Sequence, residues 1–237
     1  MILVVGGGNF GARALHQLCR VDKVLVVDPN ESCPARNYVK CVVRSLEEFL
    51  EFEKCSTAFL ASDGARVLAV LFERGIKPRY VVPTAPMHVA YEALKNILLK
   101  HGFAVKPFHE ITQIAAELRE LGVETYLDSF RGMLVASYMP FDMKCSVPCE
   151  QPVMCPVTGK IKPLPLYMAF NSILQKHFER FLVIRSILLA ESVGGYDPEA
   201  LYSFATTLLN NATKSTIAIA TACNCHGIAN FFTYERA

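Results

Sequence analysis

Short, unbroken apolar runs alternate with helical-period stretches through the first hundred residues. "ILVV" at the start reads as a strand buried on both faces. "GGGNFG" turns the chain, and "FGARALHQLCR" sets Phe10, Ala14, Leu15 and Leu18 on one helical face. "KVLVV" is a second strand, "VKCVVRS" a third, "TAFLAS" a fourth, "PRYVVPT" a fifth and "FAVKPF" a sixth. Helices are predicted between them. "SLEEFLEFEK" carries Ser45 as N-cap and Glu48 in capping-box position, "GARVLAVLFERG" ends at Gly75, and "PMHVAYEALKNILLKHG" precedes the sixth strand. This alternation predicts a doubly wound parallel α/β sheet over residues 1–108.

The pattern changes beyond Phe108. "HEITQIAAELRELG" predicts an amphipathic helix closed by Gly122, and "VETYLD" and "GMLVASYM" predict two short strands. A loop rich in proline and cysteine follows. "PLYMAFNSILQKHFERFLVIRSILLAES" then places Leu166, Phe170, Ile173, Leu174, Phe178, Phe181, Leu182 and Leu188 on one stripe of a long helix. Residues 166–189 of that helix are expected to pack into the core or to form a homodimer face. "DPEALYSFATTLLNN" predicts a last helix with Asp197 as N-cap and Pro198 in its first turn. Residues 109–237 are therefore expected to be mainly helical, with a Cys-rich loop.

Composition narrows the function classes. In 237 residues about half are apolar (52%), and the formal charge is +2. That balance supports a packed core and gives no electrostatic reason to expect nucleic acid. The opening "MILVVGGG" leaves no room for a basic leader, and the later apolar runs are too short or too interrupted to span a bilayer. A cytoplasmic protein without membrane insertion is expected. In that compartment the nine cysteines point to free thiols, metal ligands or redox chemistry rather than to disulfide staples.

Gly6, Gly8 and Gly11 have the G-x-G-x-x-G spacing between a strand and a helix. Gly6 permits the tight turn, Gly8 admits a pyrophosphate to the backbone, and Gly11 brings helix and strand together. Amide groups at the helix start would face the phosphates. Asp28, at the end of the second strand, is placed to bond both ribose hydroxyls. Its charge favours NAD over NADP, although Arg36 could offset that preference.

On "VVGGGNFG", "VLVVDPN" and "TAFLASDGARVLAVLFERG", residues 1–108 resemble the nucleotide-binding Rossmann domains of potassium channel and transporter regulatory subunits, of the RCK or Trk-N type. "VVGGG" is also similar to the opening of siroheme-synthase-type precorrin-2 dehydrogenases, which usually carry an Ala-x-Arg-Lys segment where this chain has "GARAL". The first resemblance implies that Gly6, Gly8, Asn9, Phe10, Gly11 and Asp28 contact a dinucleotide. It puts Ser62 and Asp63 near the adenosine or second ribose, and residues 84–88 on the nicotinamide or substrate side. His88 and Asp63 are then candidate catalytic groups. The alternatives are a surface residue at a helix start for His88 and a helix cap for Asp63.

"MKCSVPCEQPVMCP" sets Cys145, Cys149 and Cys155 in a segment too proline-rich for a helix or inner strand. A metal held by thiolates would give such a loop something to fold around. A fourth ligand is available from "ACNCHG", as Cys223, Cys225 or His226, and Cys145, Cys149, Cys155 and Cys225 form the expected set. An iron–sulfur cluster ranks ahead of zinc. A redox disulfide, for instance Cys145 with Cys149, and plain buried thiols remain alternatives. Together these features predict a redox protein that binds NAD(H) and carries a thiolate site. The rival is a nucleotide-sensing module acting on a partner such as an ion transporter.

Overall fold

The computed structural model describes residues 1–51, 56–145, 149–211 and 213–237. The chain runs β1 (Ile2–Val5), α1 (Asn9–Leu18), β2 (Val24–Val27), β3 (Cys41–Val43), α2 (Leu46–Glu51), β4 (Thr57–Leu60), α3 (Gly64–Glu73), β5 (Tyr80–Pro83) and α4 (Val89–Lys100). It continues with β6 (Phe103–Pro107), α5 (Thr112–Glu120), β7 (Glu124–Asp128), β8 (Met133–Ser137), α6 (Leu166–His177) and β9 (Arg180–Arg185). The last elements are β10 (Ile187–Ala190), β11 (Val193–Gly195), α7 (Glu199–Asn210), β12 (Ser215–Ala222) and β13 (His226–Arg236). Two compact units result. Unit one takes residues 1–97 and 187–202, and unit two takes residues 98–186 and 203–237.

Unit one is built on a five-stranded sheet in the order β3-β4-β2-β1-β5, parallel at every pairing. β1, β2 and β4 are buried at every residue, as their unbroken apolar runs require. The chain crosses from β4, on one side of β1, to β5 on the other. The carboxyl ends of β1 and β5 therefore flank a topological switch point. Local signals act as predicted at several helix ends. Glu48 N–H donates to Ser45 Oγ at 3.2 Å, and the Glu48 carboxylate accepts from Arg44 N–H. Gly75 closes α3 at φ +68°. The helix predicted over 45–54 is described only to Glu51, and 52–54 lie outside the described residues.

Unit one also takes a later segment. Tyr196 bridges Val81 of β5 in antiparallel fashion, with both backbone bonds at 2.9 Å. Val193 is buried with Ile2, Val4 and Leu15 in one core cluster.

Unit two corrects the expectation of a mainly helical second half. Its centre is a six-stranded mixed sheet, β7-β8-β13-β12-β9, with β6 also on β13. β13 is long enough to serve two neighbours: residues 226–230 pair antiparallel with β8 and residues 232–236 with β6. The predicted sixth Rossmann strand is thus in the other sheet, because its partner lies more than a hundred residues downstream. The long helix predicted across 166–189 stops at His177, and Phe178 is already extended. Residues 180–185 form β9, parallel to β12, and residues 187–190 form β10, so no continuous helical face exists there for a homodimer. Apolar residues at this density fit either period, and the β-branched Val183 and Ile184 favour the strand. α6 keeps its predicted stripe: Leu166, Phe170, Ile173 and Leu174 are buried with Ile114 and Leu118 of α5 and Phe231 of β13.

Candidate functional site

The glycine turn sits at the switch point of unit one. Gly6 adopts φ +107°, and a side chain there would meet the Ala85 backbone nitrogen at 2.7 Å. Thr84 ties the two strand ends together, its hydroxyl donating to Val5 O at 3.0 Å and Gly6 O at 2.8 Å. Gly11 packs so closely that a Cβ would fall 2.0 Å from Gly6 O. Gly8 is different. It is the N-cap of α1, makes no side-chain cap, and has open space where a Cβ would stand. Phe10 beside it is 66% exposed. The start of α1 is therefore a set of outward amide groups that no side chain of the helix itself caps.

Asp28 turns toward this loop. Its Oδ2 accepts from Gly7 N–H at 2.6 Å and its Oδ1 from Asn30 N–H at 2.7 Å. A carboxylate has further lone pairs on both oxygens, and Asp28 is only half-buried, so it can still receive a hydroxyl. The segment after β2 folds back on the turn. Ala35 N–H donates to Gly7 O at 2.9 Å, and Cys33 occupies the space beside Gly7. Ser62 lines an open cleft with Arg44 and Arg66 beyond the end of β4.

The two catalytic candidates have other surroundings. Asp63 caps α3, accepting from Arg66 N–H at 2.9 Å, which is its alternative role in the sequence. His88 is buried rather than surface-solvated, only 5% exposed, and its ring lies against Tyr91 with centroids 6.4 Å apart.

In unit two the structure brings the thiols to one pocket. Cys145, Cys149, Cys155, Cys225 and His226 line it, with Tyr138, Pro152, Pro156 and Lys162. Three pieces of chain hold them. Residues 149–156 form the proline-rich wall, and Pro148 lies outside the described residues. A short hairpin follows: Met154 bridges Ile161, Cys155 N–H donates to Lys160 O, and Gly159 N–H donates to Cys155 O, each at 2.9 Å. The third piece is the turn joining β12 to β13. Its Asn224 and Cys223 carbonyls accept from the first amides of α6, Leu166 and Tyr167, so the turn is fixed on a helix start. Gln151, in the left-handed region at φ 58°, links wall and turn. Its side-chain oxygen accepts from Asn224 N–H at 3.2 Å, and its carbonyl accepts from the Asn224 amide at 3.3 Å.

Electrostatics differ among the thiols. Burial pushes Cys145 up, reinforced by neighbouring sulfurs. Burial also raises Cys225, against the opposing pull of Lys162. Cys155 is lowered, chiefly by the hydrogen bond from the Thr158 hydroxyl. Desolvation and the Lys162 charge lower His226, although part of its ring reaches solvent. His226 stands between two sulfurs, Nε2 3.6 Å from Cys145 Sγ and Nδ1 3.9 Å from Cys223 Sγ. Among the described residues, no three His, Cys, Asp or Glu side chains are already arranged to hold a metal ion. Away from this pocket, Cys41 is disulfide-bonded, against the expectation of free thiols.

Lys162 lines this pocket and the Gln151–Asn224 pair ties its segments together; sequence reasoning missed all three. The turn signal was present in "CPVTGK", where Gly159 takes φ +68°. Nothing in the pattern marked Lys162 as an inward lysine.

Unit one is thus a Rossmann-like parallel α/β domain with a glycine turn at its switch point, joined to a mixed-sheet unit that gathers thiols. The chain belongs to the AF_1314 family. Residues 1–89 match its N-terminal domain profile and residues 90–235 its C-terminal domain profile, both described as "Uncharacterized protein". A similar "Uncharacterized protein" from Archaeoglobus fulgidus is 32% identical over 231 residues, covering 96% of this chain and 97% of the relative. No solved structure matches. Among the described residues, no helix is long and apolar enough to cross a membrane.

Proposed function

We propose that the protein binds NAD(H) at the start of α1 and acts in redox chemistry. The observation that carries this reading is the contrast within the glycine turn: Gly6 and Gly11 are closed by backbone, whereas Gly8 opens to solvent at the switch point. A diphosphate placed there meets the helix amides and the positive end of the dipole. Asp28 supports an adjacent ribose, its orientation held by the Gly7 and Asn30 amides. The cleft beside Ser62 is a candidate seat for the adenosine end. NAD is favoured over NADP because Asp28 would repel a 2′-phosphate.

A nicotinamide would bring hydride transfer. The chain's own residues would bind and orient it, and the thiol pocket is a candidate second redox centre. The test is NADH fluorescence titration of Gly8→Val. A Cβ at this position meets no protein atom within 4 Å, so the fold should survive while the valine methyl groups block NADH binding. Retained affinity would reject the site.

One observation favours a second reading. His88 is buried, and Asp63, though exposed, commits Oδ1 to the cap of α3, which weakens the case for either as an acid–base catalyst. That suits a nucleotide-sensing module of the RCK or Trk-N type, which would pass occupancy to a partner such as an ion transporter. NADH binding without turnover over a panel of small carbonyl and thiol substrates would select this reading over the enzymatic one.

A further inference from the structure

Lys162 is the least expected group in the thiol pocket. It is 6% exposed, and its ammonium donates to Cys225 Sγ at 3.1 Å. A buried cation needs an anionic neighbour, yet no aspartate or glutamate is among the described residues lining this pocket. The available counter-charges are sulfurs.

Two of the sulfurs also accept backbone hydrogen bonds. Cys149 Sγ accepts from Gln151 N–H at 3.4 Å. Cys223 Sγ accepts from Cys225 N–H at 3.4 Å and His226 N–H at 3.3 Å. Cys155 is held down chiefly by the nearby Thr158 hydroxyl. Cys149 and Cys223, on separate segments, thus share one local device, a turn that aims amides from two or three residues ahead at the sulfur. Such bonds favour a thiolate and fix its direction. An ordinary buried thiol requires none of them. The left-handed Gln151 is a strained backbone position held by Asn224, which keeps the two segments in register.

We propose that this pocket is a thiophilic metal centre, ligated by Cys145, Cys149, Cys155 and a thiolate of the 223–225 turn, with Lys162 as its resident counter-cation. Tetrathiolate ligation of a divalent ion leaves a net charge of about −2, and one buried ammonium offsets part of it. Each thiol loses its proton to solvent on coordination, so loading weakens as pH falls. The sulfurs line one cavity without yet standing in ligand geometry. Side-chain rotation would have to close the set. The inference is independent of the glycine turn.

The experiment uses the full chain purified without oxygen, analysed for zinc, iron and sulfide, then stripped by chelator and titrated with Co(II). The expected result is one centre per chain and a sulfur-to-cobalt charge-transfer band. Zinc in colourless protein identifies a single ion, and iron with sulfide identifies a cluster; either supports the proposal. Cys149→Ser and Cys155→Ser should lose the centre, whereas Cys19→Ser should keep it. Lys162→Met should weaken Co(II) binding by about tenfold and raise the pH at which loading is half complete, and Lys162→Arg should restore both. Wild-type protein with neither stoichiometric metal nor a Co(II) band would overturn the proposal, whatever the variants do. Unchanged metal content in Cys149→Ser and Cys155→Ser would do the same. A Lys162→Met variant with wild-type affinity and pH dependence would remove the counter-cation role.

Discussion

Gly8 and Gly11 are three positions apart, and the same added methyl should have opposite consequences at each. At Gly11 it would strike the Gly6 carbonyl oxygen at 2.0 Å. Backbone cannot rotate aside as a side chain can, so Gly11→Ala should lower stability by about 1–3 kcal/mol, read as a fall in the denaturant midpoint. At Gly8 the methyl meets nothing, and the backbone at φ −64° suits any residue. Gly8→Ala should leave the midpoint within about 0.5 kcal/mol. The glycine spacing and Asp28 were legible in sequence because each glycine answers a local demand of a strand–turn–helix unit. The fate of His88 was not. Its burial depends on packing that no nearby residue announces.

Among elements, α5 and α6 illustrate what surface charge adds to a buried face. Glu117 of α5 accepts from Lys176 at 2.9 Å and also meets His177, both in the last turn of α6. The Lys176 bond, then the His177 bond, hold the Glu117 carboxyl below its usual value of 4.5. A carboxylate lowered in the folded state stabilises above its unfolded value, and that contribution fades as pH falls through the lowered value. Acid unfolding monitored below pH 4.5 should therefore be less steep in Glu117→Gln than in wild type. The contribution is small because the pair is solvent-screened. The apolar stripe of α6 was legible to His177. Beyond it, β9 was not, because "RFLVIR" supplies an apolar run that satisfies a helix or a doubly buried strand. Only pairing with β12, more than thirty residues later, decides between them.

At the scale of the molecule, the first unit is discontinuous. Sequence alternation placed a boundary at residue 108, but residues 187–202 return to the first unit and residues 98–107 belong to the second. A chain ended at residue 108 would lack Val193 from the core cluster and Tyr196 from the edge of β5. Such a fragment should unfold without a sharp transition, or aggregate through the bared β5 edge, in circular dichroism and light scattering. A fragment with residues 187–202 restored through a flexible linker should regain cooperativity. The thiol pocket was legible at the same coarse level. The two cysteine groups were expected to meet, and they do, yet the lysine, glutamine and asparagine that organise them became visible only once the β12–β13 turn was in place.

The detour through residues 187–202 bears on how the protein is made. A nascent chain that has delivered β5 still waits for about a hundred further residues before Tyr196 can reach it, several seconds at ordinary elongation rates. During that interval the edge of a nearly finished sheet stays open to whatever chain is nearby. Slow translation between β5 and β11 should therefore lower the yield of soluble protein, and a holdase present at the ribosome should recover it.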